Sequence, residues 1–390
     1  MIGLIEEIID RFGGRLAGSK AERDAQLFLQ KKLEALGADT QIHTFLAPLK
    51  AKPYALKLNI FGYWVSLIVT SQHVAAGLIL AALNTILFTA SFVLFSDIMD
   101  GLFPKKESLN LTASLEPQGE VKQTIIVAGH IDSTLEYIWW YWFKNFGMVL
   151  TLISGFSVLL FPLAIAIGFM LNPSNPPVSG ILLVFAILSP TTLTMFFMRN
   201  NTVVPGAQDN LSAITVAFHI LERLAHPDKE GKSELQHTRL KMVSFGSEET
   251  GLKGSKAYAK AHEVELKAEN ALIINMDGIM NVNEFSILKG ELMTRIEYDS
   301  SIRSDLQAAF DAQGVEYRTG KLTVGATDGA PFVKVGIPAA TILALPIGRL
   351  DPTYHTRLDR PEFIDPKALQ ICRDAVIDLI RKRDESAYSF

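Results

Sequence analysis

Three short segments of this 390-residue chain, Gly129-His130-Ile131-Asp132, Ser247-Glu248-Glu249 and Met276-Asp277, place imidazole and carboxylate groups directly after apolar runs. Those are the donors that suit a zinc ion. Neighbouring acids point to different sides, so one of a Glu-Glu pair can face a metal while the other moves a proton. Taken singly, each segment has a plainer reading. A Glu-Glu pair is usually a solvated face, and His-x-Asp is usually a surface loop. Position sets these apart. The runs at 124–128, 240–245 and 271–276, like a fourth at 339–345, read as central strands. In open α/β sheets the ligand crevice lies outside the carboxyl ends of the strands. Three strands thus deliver metal-type ligands to one edge.

The elements around them are consistent with this. Ser19-Lys20-Ala21-Glu22 forms a capping box. It opens a helix with Ala25, Phe28, Leu29, Leu33 and Leu36 at helical spacing, closed by Gly37. Leu109, Leu111, Ala113 and Leu115 alternate with polar residues, which predicts a strand with one buried face. A helical segment spans 210–225. The whole reads as an α/β layered domain.

Two stretches interrupt it. Residues 58–96 and 145–198 contain no Asp, Glu, Lys or Arg, although charged residues make up 20% of the chain. A bilayer-crossing helix needs about 20 apolar residues. The second stretch supplies two, 146–171 and 178–198, split by the turn-forming Asn172-Pro173-Ser174-Asn175-Pro176-Pro177. Trp139, Trp140 and Trp142 precede it with Tyr137, Tyr141 and Phe143, as an interfacial aromatic belt would. In the first stretch 74–95 is a good span, whereas 58–70 is short and either extends to Lys57 or is re-entrant. The composition therefore predicts two inserted transmembrane helical hairpins, 58–96 and 145–198. The catalytic domain is then discontinuous, at 1–57, 97–144 and 199–390. Lys and Arg flank the hairpins and are missing from their loops, which predicts a multi-pass protein of the cell membrane. It would have about four spans, its charged domain facing the cytoplasm and a lipid bilayer as partner. The net charge of −4 and the lack of a basic stripe argue against nucleic acid. A single cysteine, Cys372, excludes an internal disulfide framework. The acidic start, Met1 to Glu7, is not that of a cleaved export signal.

Five ordered segments carry a resemblance: Gly129 to Ser133, Pro205 to Asn210, Phe245 to Ser255, Met276-Asp277 and Tyr354 to Asp359. With them the chain resembles family twenty-eight of the metallopeptidases, the co-catalytic zinc exopeptidases, from about Phe12 to the C-terminus, the inserts excepted. The resemblance implies a mixed, mostly parallel central sheet flanked by helices and two divalent metal ions, most naturally zinc. It implies that Asp209 bridges the ions, with His130 and Asp277 completing one ligand set and Glu249 and His355 the other. Glu248 becomes the general base acting on a metal-bound water, and Asp132 orients His130. Thr327-Asp328-Gly329-Ala330-Pro331-Phe332 resembles a segment near the family's substrate pocket, which makes Asp328 a pocket candidate. Gln208 and Asn210 stand where many relatives carry acids, without loss of a ligand. The expected activity is an aminopeptidase acting on apolar or membrane-associated peptides. Glutaminyl cyclase chemistry, carboxypeptidase action, hydrolysis of lipid-linked amino acids and a non-catalytic scaffold remain as alternatives. The other six histidines, His43, His73, His219, His226, His237 and His262, read as structural or surface groups.

Overall fold

The apolar runs become strands of one mixed sheet, nine-stranded among the residues that the computed structural model describes, 1–174, 176–229, 231–346 and 351–387. Eight strands lie on its main path: β1 (Asp39–Ala47), β2 (Lys106–Leu115), β3 (Gln123–His130), β4 (Thr238–Phe245), β5 (Ala271–Ile279), β6 (Ser286–Glu291), β7 (Arg318–Leu322) and β8 (Ala339–Ala344). Their order across the sheet is β1-β2-β4-β3-β5-β8-β6-β7. The central strands β4, β3, β5 and β8 pair in parallel, with antiparallel pairs on either side.

Parallel strands at the middle of a sheet are covered on both faces, which is why they read as unbroken apolar runs. On β3, Ile125 and Val127 enter one core with Leu221 and Val376 from the helices Ser212–Leu224 and Pro366–Ala387. Ile126 and Ala128 enter the other with Phe245, Tyr258 and Phe332. β2 differs from expectation: its polar residues Ser108, Asn110 and Thr112 are buried as well as its leucines. They are shielded from solvent because helix Lys253–Ala261 packs on that strand, and hydrogen bonds replace water there. Asn110 donates to Gly254 O at 3.0 Å and accepts from Gly246 N at 3.0 Å. Gly254 is required there, since a Cβ would lie 2.1 Å from Gly246 O.

The capping box forms in modified shape. Ser19 Oγ accepts from Glu22 N at 3.2 Å and starts helix Lys20–Glu34. The Glu22 carboxylate reaches Gly18 N, at 2.6 Å, one residue earlier than the motif requires. The helix expected over 210–225 runs from Ser212 to Leu224, because Ala207–Leu211 is an irregular turn carrying Asp209.

The chain divides into two compact units. The first comprises Met1–Leu49, Lys105–Leu135 and Thr202–Phe390, and holds the sheet. The second comprises Lys50–Pro104 and Glu136–Asn201 and is helical. Its helix Ala51–Gln72 starts before the uncharged stretch and includes Lys52 and Lys57. Helix Ile138–Leu171 takes in the tryptophans and kinks at Lys144, whose φ is +48°. Ile60, Tyr63, Phe88, Phe161 and Phe185 form a core of its own. Three described helices, 74–93, 138–171 and 178–196, are long and apolar enough to cross a membrane by length and composition. About four were expected. The first segment falls short because its helix extends into lysine-bearing sequence. Of the expected turn at 172–177, Asn175 lies outside the described residues.

Candidate metal centre

His130 closes β3, and Glu248 and Glu249 follow shortly after β4. Asp277 sits two residues before the end of β5. To this edge the turn Ala207–Leu211 brings Asp209, and the loop before helix Pro366–Ala387 brings His355. Asp209 lies between the two histidines. One carboxylate oxygen is 3.0 Å from His130 Nε2 and the other 3.0 Å from His355 Nε2. Two groups of ligand atoms, each within 4.8 Å of one another, share that residue: His130, Asp209 and Asp277, and Asp209, Glu249 and His355. Glu248 Oε2 is 3.8 Å from His130 Nε2 and belongs to neither group.

Asp132 does more than face His130. His130 Nδ1 lies 3.2 Å from the Asp132 carbonyl and 3.5 Å from its carboxylate. That carboxylate accepts from Glu248 N at 2.9 Å and Glu249 N at 3.2 Å, and so sets the turn that presents both glutamates. Asp328 is buried, and its Oδ1 has no hydrogen-bond partner among the described residues. The preceding Thr327 is fixed by Glu291, which accepts from Thr327 N at 3.0 Å and from Tyr298 OH at 2.6 Å.

The electrostatics follow from crowding acids out of water. Burial, then the Asp209 carboxylate, holds Asp277 well above the ordinary carboxylate range. Burial does the same to Glu248, reinforced by Asp328 and opposed by His130. On Asp209 burial is outweighed by hydrogen bonds from His130 and His355, so it stays below that range. Burial disfavours charge on His130, but Glu248, Asp132 and Asp209 raise it well above a usual histidine. Buried acids gathered like this draw in positive charge. Two imidazoles among carboxylates, an unpaired Asp328 oxygen and a Glu249 Oε1 that faces His355 at 3.1 Å fit a pair of divalent cations, and the mixed nitrogen and oxygen donors suit zinc. A shared carboxylate is how two-metal hydrolytic sites hold their ions.

Several residues that build this site had no role in it assigned from the sequence. Arg15 is fully buried, and four of its N–H groups meet carbonyls: Ile131 at 2.7 Å, Gly13 and Pro205 at 2.8 Å, and Gly206 at 3.0 Å. Burial lowers its pKa to about 10, against the pull of Asp359, Asp132 and Asp209. It ties the His130 and Asp209 loops together. Arg15→Met, similar in size but without donors, should cost about 3 kcal/mol of stability by stranding buried carbonyls, read as a lower urea midpoint. Asp359 accepts from Gln208 N at 2.7 Å and Asp209 N at 3.3 Å. Asn210, noted as an amide where relatives carry acids, donates to Met276 O at 3.1 Å and accepts from Gly278 N at 3.2 Å, bracketing Asp277. An ionised acid could not donate there. The other histidines stay out of both ligand groups; His43 and His262, for instance, pair with each other at 3.3 Å.

A profile of peptidase family M28 matches residues 191–380. Aminopeptidase YwaD of Bacillus subtilis is 27% identical over 179 residues, a match spanning 44% of this chain and only 36% of that protein. Among solved structures, a zinc aminopeptidase from Bacillus subtilis superposes with a TM-score of 0.57 at 14% identity, covering 98% of this chain and 94% of its own. A Zn-dependent exopeptidase from Parabacteroides distasonis gives 0.57 at 14%, covering 98% and 97%. The glutaminyl cyclase of Porphyromonas gingivalis gives 0.56 at 15%, covering 98% and 96%. The fold is that of these zinc peptidases. Its two ligand groups, joined at Asp209, form a site with the donors for two divalent ions.

The comparisons also correct one expectation. The sequence pattern pointed to a multi-pass cell-membrane protein of about four spans with its catalytic domain facing the cytoplasm. The matched structures are globular zinc peptidases and cover 97–98% of this chain, which does not support that placement. The inference failed because length and lack of charge are necessary for a span without being sufficient. The same helices also bury apolar residues in a core of their own.

Proposed function

We propose that this chain is a two-metal exopeptidase that removes N-terminal residues from peptides. The observation that carries it is Asp209, turned with one oxygen to each histidine and shared by both ligand groups. In this reading His130 and Asp277 hold one ion with Asp209, and Glu249 and His355 hold the other. The ions, when bound, supply Lewis-acid activation of water and of the scissile carbonyl. Glu248 takes the proton of the attacking water at its carboxylate and passes it to the leaving amine. Asp132 fixes the Glu248–Glu249 turn and faces the inner nitrogen of His130.

An amine-end specificity is supported by charge. One buried cation beside these loops, Arg15, has its N–H groups on backbone carbonyls rather than facing a substrate carboxylate. The unpaired Oδ1 of Asp328 is an acceptor of the kind an α-ammonium needs. Asp328→Asn should therefore raise KM for free-amine peptides about 10- to 100-fold, the worth of one charge-assisted hydrogen bond, with zinc content unchanged. An unaltered KM would remove Asp328 from the substrate site. The name of the relative YwaD, an aminopeptidase, is consistent with this reading.

The test is a peptide-library digest read by mass spectrometry, with and without a chelator. Chelator-sensitive loss of N-terminal residues, fastest from apolar termini, is expected. Trimming from the other end, or pyroglutamate formed from Gln-peptides, would replace the proposal with carboxypeptidase or cyclase chemistry.

A further inference from the structure

We infer that Glu22 is a positioning residue of the metal centre, holding the Glu248–Glu249 turn from behind; this rests on the two-metal reading above. The turn's three consecutive N–H groups are divided between two buried carboxylates. Those of Glu248 and Glu249 go to Asp132, and that of Ser247 goes to Glu22 Oε1 at 2.7 Å. Ser247 needs such a hold, because its φ of +58° lies in the left-handed region that non-glycine residues rarely adopt. Its hydroxyl adds contacts of 3.1 Å to Glu22 Oε1 and 2.8 Å to Ser108 Oγ. On the other oxygen, Glu22 Oε2 accepts from Gly18 N at 2.6 Å and from Ser108 Oγ at 3.1 Å.

The four groups that reach Glu22, two backbone N–H groups and two hydroxyls, can each donate to it, so the position calls for a group that only accepts. An amide would turn its NH2 against either the Gly18 or the Ser247 N–H. The carboxylate is itself held rigidly. Glu22 is 1% exposed and stands in the first turn of helix Lys20–Glu34, with its own N–H capped by Ser19. A capping residue thus serves two ends, one oxygen closing its helix and the other crossing 225 residues of sequence to the turn that carries Glu248 and Glu249. Only Glu249 of that pair belongs to a ligand group, the one with Asp209 and His355. A loosened turn therefore acts on one ion and on Glu248, and spares the His130–Asp209–Asp277 group.

The test is Glu22→Gln in the full chain, titrated with zinc against a chromophoric chelator, with kcat and KM measured on the best peptide from the digest. One of the two ions should weaken about 10- to 100-fold, as partners behind metal ligands typically do when changed, while the other is unaffected. The kcat should fall at least about 10-fold with KM nearly constant, and unfolding should stay cooperative. Glu22→Asp keeps the charge but shortens the reach, and should show a smaller loss of the same kind. Equal weakening of both ions, or unchanged zinc affinity and kcat, would overturn the inference. So would loss of folding in both variants, which would make Glu22 purely structural. Wild-type protein that takes up no zinc would instead sink the two-metal reading itself.

Discussion

Glu248→Gln should leave the fold and both ions in place while lowering kcat by at least about 100-fold, the usual share of a positioned general base. The change is isosteric, and the backbone N–H that fixes this residue, bonded to Asp132 at 2.9 Å, is untouched. Glu248 stands in neither ligand group, so zinc content should hold at the wild-type value. An amide can accept a hydrogen bond but cannot take the proton, and the loss therefore falls on kcat with KM little changed. Elemental analysis and steady-state kinetics on one preparation check both halves. Retained activity with metal bound would assign the proton transfer to another group.

How much of this site could be read in advance depended on where each residue sits. His130, Glu248, Glu249 and Asp277 follow apolar runs that read as central strands, so the sheet itself predicted that they would converge, and they lie at one edge. Asp209 and His355 lie on irregular segments with no period to follow; their family motifs alone pointed to them. Arg15 and Glu22 were illegible as site residues for a different reason. Their partners in the loops of the metal site lie 116 to 225 residues away, and a buried arginine or glutamate looks in sequence like a surface one until its burial is known. Glu22 was visible as a cap, which is half of what it does. The polar face of β2 misled for the same reason: alternation reports residue type, and Ser108 and Asn110 are polar because the groups buried against them must be hydrogen-bonded. The uncharged stretches were read correctly as helical, but composition left their setting undetermined.

Asp209→Asn should lower zinc occupancy at both sites, whereas His355→Ala should empty mainly one. The difference follows from sharing. Asp209 is the one residue common to the two ligand groups, and its two oxygens face different histidines. An asparagine keeps the shape but offers one neutral oxygen, and its NH2 would stand against His130 or His355 where an acceptor is needed. It also removes a negative charge from between the two ions, so the repulsion of one cation by the other is less well screened. His355 serves only the group with Glu249, and removing it leaves His130, Asp209 and Asp277 intact. Wild-type protein supplied with zinc should carry two ions per chain by elemental analysis. The aspartate variant should retain well under one after dialysis against a weak chelator, and the histidine variant about one. Because hydrolysis needs both ions, the two variants should be similarly inactive despite their different metal content. Equal zinc content in the two variants would mean that Asp209 does not bridge.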